Sequence, residues 1–587
     1  MTTICRSFTL SIICLCYTIL IMAQSPNPPS IDDLTTSFER DQNTTATYDE
    51  AIEYYKKLSL RYPDISVATA GLTDSGLPLT EVIVTNDGVF SPDQIRANNK
   101  VILFINNAIH PGEPCGVDAS MMIARDLQTK HRDLLEHAVV VLIPIYNISG
   151  HLNRGSHSRA NQNGPKAYGF RGNAQNLDLN RDFIKTDTKN ARSFNKLYTK
   201  WSPEVFVDNH TSNGADYQYV MTLIATQKDK MEPSLATYMT ESMLPDLYQK
   251  MAEKNYEMTP YVYANTTPDE GIAGFLDLPR YSSGYASLHN AISFMPETHM
   301  LKPFADRVKS TYFFSLSMLE HIDRNHDQLI AARKDADKST KTKLVHDIAW
   351  EIDKNVIDTV SFKGYTAKYK VSKVTGQNRL YYDHDEPYTK DINHYNTYTA
   401  TISIDKPRAY IIPQAYSHII DKMTANGVQV EQLDKSKMMD VEIYRIEDFS
   451  SPSSPYEGRY LHRAVEVSKS MELTQYHEGD FIIYLNQPID NYIVHTLEPQ
   501  APDSWFAWNY FDGILMQKEH FSPYVFEDLA ERFLQKNPNI RMKLESKKLQ
   551  NPDFAKDAFA QLQYVYEQTP HYEPTYNRYP VGRLMEK

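Results

Sequence analysis

The chain has 587 residues, 41% hydrophobic and 11% aromatic, with 40 tyrosines and a formal net charge of −13. That composition excludes a disordered chain, and the length exceeds one ordinary domain, so roughly two to four are expected. The acidic balance excludes nucleic acid as a partner, because phosphate binding needs a basic surface.

In chain order, residues 1–23 read as an export signal. Arg6 is the lone charge before the apolar run 8–22, and Ala23 offers a small residue at a cleavage point. That run of about 15 residues falls short of the roughly 20 that span a bilayer, so no stable membrane insertion is expected. The protein is therefore expected in the periplasm or secreted. Cys5, Cys14 and Cys16 would leave with the signal, and Cys115 remains alone. One thiol cannot close an intramolecular disulfide, so Cys115 is expected to be a buried core residue.

Residues 44–325 alternate short apolar runs with helical spacing. Strands are expected at 101–105, 138–143, 205–207 and 292–294, and helices at 121–135, 192–201 and 239–256. This alternation predicts an α/β domain: a mixed, mostly parallel sheet with helices on both faces. A charged, helix-prone connector is expected at 326–352. From 353 to 502 the pattern becomes period-two, as in Thr366-Ala-Lys-Tyr-Lys-Val-Ser-Lys-Val374, and a β-rich accessory domain is expected. Residues 503–587 return to helical patterns and end in a Tyr/Pro-rich tail.

The chemistry gathers where the strand runs end. Open α/β sheets bind ligands outside the carboxyl ends of their strands. After 101–105 come His110-Pro111-Gly112-Glu113, after 205–207 come Asp208-Asn209-His210, and after 292–294 come Met295-Pro296-Glu297. Catalytic zinc takes three N/O ligands and keeps one position open. The Pro111-Gly112 pair makes a tight turn that lets His110 and Glu113 face one ion, His210 closes the set, and the Glu297 carboxylate is left to work on water. A lone His-x-x-Glu is common by chance; the agreement of several strand ends carries the weight. The segment Arg171-Gly-Asn-Ala-Gln-Asn-Leu-Asp178-Leu-Asn180-Arg181-Asp182-Phe183 adds to it.

These elements, in this order, resemble the zinc carboxypeptidase family of the carboxypeptidase A/D type, in its long bacterial form, over residues 48–323. The resemblance implies one Zn²⁺ per chain held by His110, Glu113 and His210, with Glu297 as general base. It implies that Asp178 orients His110, that Arg171 stabilises the oxyanion, and that Asn180 and Arg181 clamp the terminal carboxylate of a peptide. Guanidinium suits a carboxylate because its fork makes two parallel hydrogen bonds.

Residues 147–172 form a longer segment than in the digestive members, and Arg154 and Arg159 there compete with Arg171, which is chosen for its spacing to Asn180-Arg181. Tyr281 is preferred over Tyr285 as the tyrosine covering the substrate. The pocket for the terminal side chain is expected between 271 and 287, where Asp277 and Arg280 are the charged residues. The expected function is hydrolysis of C-terminal peptide bonds. Two alternatives stand beside it: a metallo-amidase of the same fold acting on cell-wall stem peptides or acyl-amino acids, and a non-catalytic peptide- or glycan-binding protein.

Overall fold

The computed structural model describes residues 30, 34–264 and 266–586. The export segment expected at 1–23 lies outside these residues. Among the described residues, no helix is long and apolar enough to cross a membrane.

The frame is a nine-stranded sheet. Its strands are β1 (Ile65–Leu72), β2 (Pro78–Val84), β3 (Val101–Asn106), β4 (Ala138–Ile143), β5 (Val205–Asp208), β6 (His210–Ser212), β7 (Met221–Ala225), β8 (Met258–Pro260) and, after the short β9 (Ile272–Ala273) of another sheet, β10 (Ile292–His299). The spatial order is β1-β2-β4-β3-β5-β10-β7-β8, with β6 beside β10. The centre, β4-β3-β5-β10, is parallel. Antiparallel pairs lie outside it, at β1/β2, β2/β4 and β10/β7. Central parallel strands are covered on both faces, which is why β3 and β4 read as unbroken apolar runs.

Successive side chains of a strand point to opposite faces, and β3 shows what each face packs against. Val101, Leu103 and Ile105 join a core with Ile123 and Leu127 of the helix Cys115–Thr129 and with Phe314 and Met318 of the helix Phe304–Thr342. Ile102 and Phe104 join a second core with Phe194, Tyr198 and Trp201 of the helix Lys189–Trp201. That helix starts earlier than its apolar pattern because Thr188 caps it, accepting from the Ala191 N–H.

The second core does not stop at the nine-stranded sheet. It runs on through Tyr410, Ile412, Tyr444, Trp505 and Trp508, so the C-terminal half covers one face of the sheet. Helix Phe304–Thr342 passes unbroken through the boundary expected at 325, since no Gly or Pro interrupts it. The end of the connector expected at 326–352 is strand β11 (Val345–Ile352). A long hairpin of β12 (Asp358–Val371) and β13 (Asn378–Tyr395) follows, and β13 pairs with β9 of the N-terminal half. Strand β14 (Tyr398–Asp405) pairs with β11. A six-stranded sheet then includes the long hairpin Lys437–Ser450 and Arg463–Tyr476. Three helices occupy Pro523–Lys536, Pro538–Gln550 and Ala558–Tyr566. The tail then returns as Gly582–Leu584 between two strands of the six-stranded sheet. Three residues are too few for a period-two pattern to show in sequence.

Candidate active site

The site lies at the carboxyl ends of β3, β5 and β10. Beyond β3 the chain turns on a hydrogen bond from the Glu113 N–H to the His110 carbonyl (2.8 Å). Gly112 is required there, because a Cβ would lie 2.6 Å from Arg159 Cδ and 3.3 Å from the Gly169 carbonyl. In β10, Glu297 stands in register with His210 of β6, which sets the two side by side.

His110, Glu113 and His210 are all buried, and one possible ligand atom from each lies within 4.8 Å of the others. His110 Nδ1 is 3.3 Å from Glu113 Oε1 and has no hydrogen-bond partner. His210 Nδ1 is 3.1 Å from Glu113 Oε2. The outer nitrogens are tied down: His110 Nε2 lies 2.9 Å from Asp178 Oδ1, and His210 Nε2 lies 3.0 Å from Asp208 Oδ2. Carboxylates on the outer nitrogens fix the two rings with both Nδ1 atoms facing Glu113. Two imidazoles and one carboxylate, with an orphaned buried ring nitrogen among them, offer the N/O donor set that a divalent metal such as zinc takes.

Three guanidinium groups rim the cluster. Arg159 donates to Glu113 Oε1 (2.7 Å) and to the Thr211 carbonyl (3.0 Å). Arg171 pairs with Asp178 (2.9 Å) and approaches Glu113 (3.6 Å). Arg154 is turned away, donating to the Thr45, Ala46 and Ala167 carbonyls. Of the three candidates for the oxyanion role, two therefore reach the cavity.

Arg181 donates from NH1 to the Asn180 carbonyl (2.7 Å), and its guanidinium lies 4.4 Å from the Tyr281 ring centre. Asn180 Oδ1 accepts from the Ser282 N–H (3.0 Å), so its amide nitrogen turns inward, 3.4 Å from His210 Nε2. Tyr285 is buried and donates to Asn426 (2.6 Å), so it has no part in the cavity. Asp277 pairs with Lys230 (3.0 Å), and Arg280 with Asp503 (2.9 Å). Neither points into the cavity, whose apolar wall is Ile224, Tyr261, Phe275 and Met295. Cys115 is buried, with its Sγ 3.4 Å from the Thr298 hydroxyl.

Burial pushes the Glu297 carboxyl up to about 7; His210 opposes this and the Glu113 carboxylate adds to it. Asp178 and Glu113 respond in the opposite direction. Burial alone would raise them, but His110 and Arg171 hold Asp178 well below the carboxylate range, and Arg159 and His110 do so for Glu113. One buried carboxyl near neutrality beside fixed anions is the division of roles that acid–base catalysis uses.

Sequence reading missed four residues here. Asp208 lies two positions before His210, on the same face of an extended segment, and the period-two rule was the signal available. Tyr261 gave no signal. Tyr456 and Glu457 reach the site from the β-rich half: Tyr456 accepts from Arg181 Nε (2.9 Å), and Glu457 from the Asp178 N–H (2.7 Å).

Residues 51–292 match the zinc carboxypeptidase family. Carboxypeptidase 2 of Trichophyton rubrum is 21% identical over 438 residues, covering 70% of this chain and 74% of that protein. Carboxypeptidase 2 of Trichophyton tonsurans is 21% identical over 434 residues, with the same coverage. Among solved structures, a metallo-carboxypeptidase of Pseudomonas aeruginosa is 15% identical with a TM-score of 0.36, covering 49% of this chain and 70% of that one.

Proposed function

We propose, from the match of residues 51–292 to the zinc carboxypeptidase family, that this protein uses zinc to remove the C-terminal residue of peptides that end in a free carboxylate. The observation that carries the reading is the buried His110/Glu113/His210 set with Glu297 in register beside it.

His110 Nδ1, Glu113 and His210 Nδ1 would hold the ion. Bound there, zinc supplies a Lewis acid that polarises a carbonyl and lowers the pKa of water. The remaining work falls to side chains. Glu297 takes a proton from the attacking water and hands it to the leaving amine, a transfer that a carboxyl tuned towards neutrality can make both ways. Arg171 or Arg159 stabilises the negative charge that grows on the carbonyl oxygen; removing such a donor costs about 2.7–4 kcal/mol of transition-state stabilisation. Arg181 and Asn180 hold the terminal carboxylate, and Tyr281 packs over the Arg181 guanidinium. Ile224, Tyr261, Phe275 and Met295 receive the terminal side chain. Asp277 and Arg280 are paired elsewhere, and this apolar wall favours apolar or aromatic C-terminal residues.

Metal analysis of the purified protein tests this reading. About one equivalent of zinc should be found, and a chelator should abolish peptide hydrolysis until zinc is restored. Full activity in metal-free protein would overturn it.

A further inference from the structure

The strands Lys437–Ser450 and Arg463–Tyr476 of the β-rich half are joined by a loop whose tip touches the site. Tyr456 and Arg459 face each other as a bridge, with Arg459 N–H donating to the Tyr456 carbonyl (3.1 Å) and Tyr456 N–H to the Arg459 carbonyl (2.7 Å). The residues between them, Glu457 and Gly458, have φ of 50° and 81°. Positive φ at both central positions marks a two-residue hairpin turn of the primed type. Glycine takes the second position freely, whereas glutamate at the first is strained and must be held by what it touches.

All three polar side chains of this turn hold one short stretch, residues 178–187. Glu457 accepts from the Asp178 N–H (2.7 Å). Arg459 clasps Asp187 with two bonds, 2.8 and 2.7 Å, and also donates to the Trp508 carbonyl (2.8 Å). Tyr456 accepts from Arg181 Nε (2.9 Å). At the base of the loop, Ser451 Oγ lies 2.6 Å from His462 Nδ1, and His462 Nε2 lies 2.9 Å from Asp512. The Tyr456 ring stacks on Trp508, with ring centres 6.2 Å apart and planes at 17°. The tip is therefore fixed at both ends.

Arg181 carries five N–H donors in a rigid fork. Tyr456 takes the Nε hydrogen, the Asn180 carbonyl takes one on NH1, and the Tyr281 ring covers one face. Among the described residues no hydrogen bond is made by NH2, and Arg181 lines the cavity wall. We propose that Tyr456, delivered by the β-rich half, is a positioning residue for the carboxylate clamp: its hydroxyl fixes the direction in which Arg181 presents its fork, so recognition of the substrate's C-terminus is shared between the two halves of the chain. This rests on Arg181 reading the terminal carboxylate. Tyr456 acts through Arg181 and not on the reacting atoms.

The test is a double-mutant cycle on the full-length zinc-loaded protein, with zinc content and melting temperature recorded for every variant. One hydrogen bond lost at a guanidinium is worth about a five- to tenfold change in binding. Tyr456→Phe should raise KM for a free-carboxylate peptide by about that factor. Cleavage of the same peptide as its C-terminal amide, which does not engage the guanidinium, should not change. In the Arg181→Ala background, Tyr456→Phe should have no further effect, because the two residues act as one unit. An unchanged KM in Tyr456→Phe, equal losses on both peptide forms, or additive losses in the double variant would each overturn the inference while leaving the carboxypeptidase reading intact. If Arg181→Ala itself fails to reduce the preference for the free carboxylate, the clamp reading fails and this inference fails with it.

Discussion

Asp208 and His210 lie two residues apart on one face of the chain, and the Asp208 carboxylate holds His210 Nε2 at 3.0 Å. Asn106 holds the same carboxylate from below, donating to its other oxygen at 2.9 Å. The imidazole therefore has one orientation, with Nδ1 towards Glu113. Asp178 does the same for His110 at 2.9 Å.

Orientation of this kind should be measurable as metal affinity. Partners on the outer nitrogens of ligating histidines are worth about 10–100-fold. Asp208→Asn should weaken zinc binding by that factor, read by competition with a chelator. His210→Ala should lose the metal outright. Equal zinc affinity in Asp208→Asn and the natural protein would show that the hydrogen bond does not orient the ligand.

Glu297→Gln should separate metal binding from catalysis. The amide is nearly isosteric but cannot take a proton, so zinc should stay while kcat falls by about 10²–10⁴. Near-normal kcat would send the search for the base to another residue. His299 comes next in sequence, yet it is buried and lies 2.9 Å from the Ala215 carbonyl.

The same residue sets a pH dependence. Without a metal, burial pushes Glu297 to about 7. A cation at the adjacent cluster favours the carboxylate and takes the place of the positive His210 that already does so. If Glu297 is the proposed general base it must be ionised, so kcat/KM should fall tenfold per pH unit on the acid side, with an apparent pKa no higher than about 7. An acid limb centred well above 7 would contradict the assignment.

Acid should also loosen the joint between the two halves. Burial would raise the Asp187 carboxyl, but Arg459 and Lys185 hold it down to about 2, from an ordinary 3.8. A depressed carboxyl contributes stability that is fully present above the unfolded value and lost as pH falls through the folded one. The window is therefore between about pH 4 and pH 2. Arg459→Met should cost about 1–2 kcal/mol at neutral pH, a figure lowered for partial exposure of the pair. The difference in melting temperature between the two proteins should be smaller at pH 3 than at pH 6. A constant difference would show that Asp187 is not the group involved.

Sequence carried the local part of this architecture. The runs that became β3 and β4 were legible because strands buried on both faces must be apolar throughout. That His110, Glu113, His210 and Glu297 would come together was legible because an α/β sheet gathers its strand-end residues on one side. Long-range placement was not legible. Nothing local distinguishes Arg154, bonded to the carbonyls of residues 45, 46 and 167, from Arg159 beside Glu113. Tyr281 and Tyr285 differ by one helical turn, and only packing sends the second into the core, against Asn426. The contact of Tyr456 with Arg181 spans 275 residues, and no pattern within either segment announces it. A period-two pattern from 353 onward likewise gave no hint that Tyr410, Trp505 and Trp508 would share a core with Phe104.

The central claim is that the chain reads the free carboxylate at the end of a peptide. The most direct measurement is kcat/KM of the zinc-loaded natural protein on one peptide in two forms, with a free C-terminus and with a C-terminal amide. The scissile bond is the same in both. Amidation removes the charge that Arg181 pairs with and leaves a guanidinium desolvated without its partner, which costs more than the lost contact alone. The account predicts that the amide is cleaved at least about 10²-fold less efficiently. Equal kcat/KM for the two forms would contradict it.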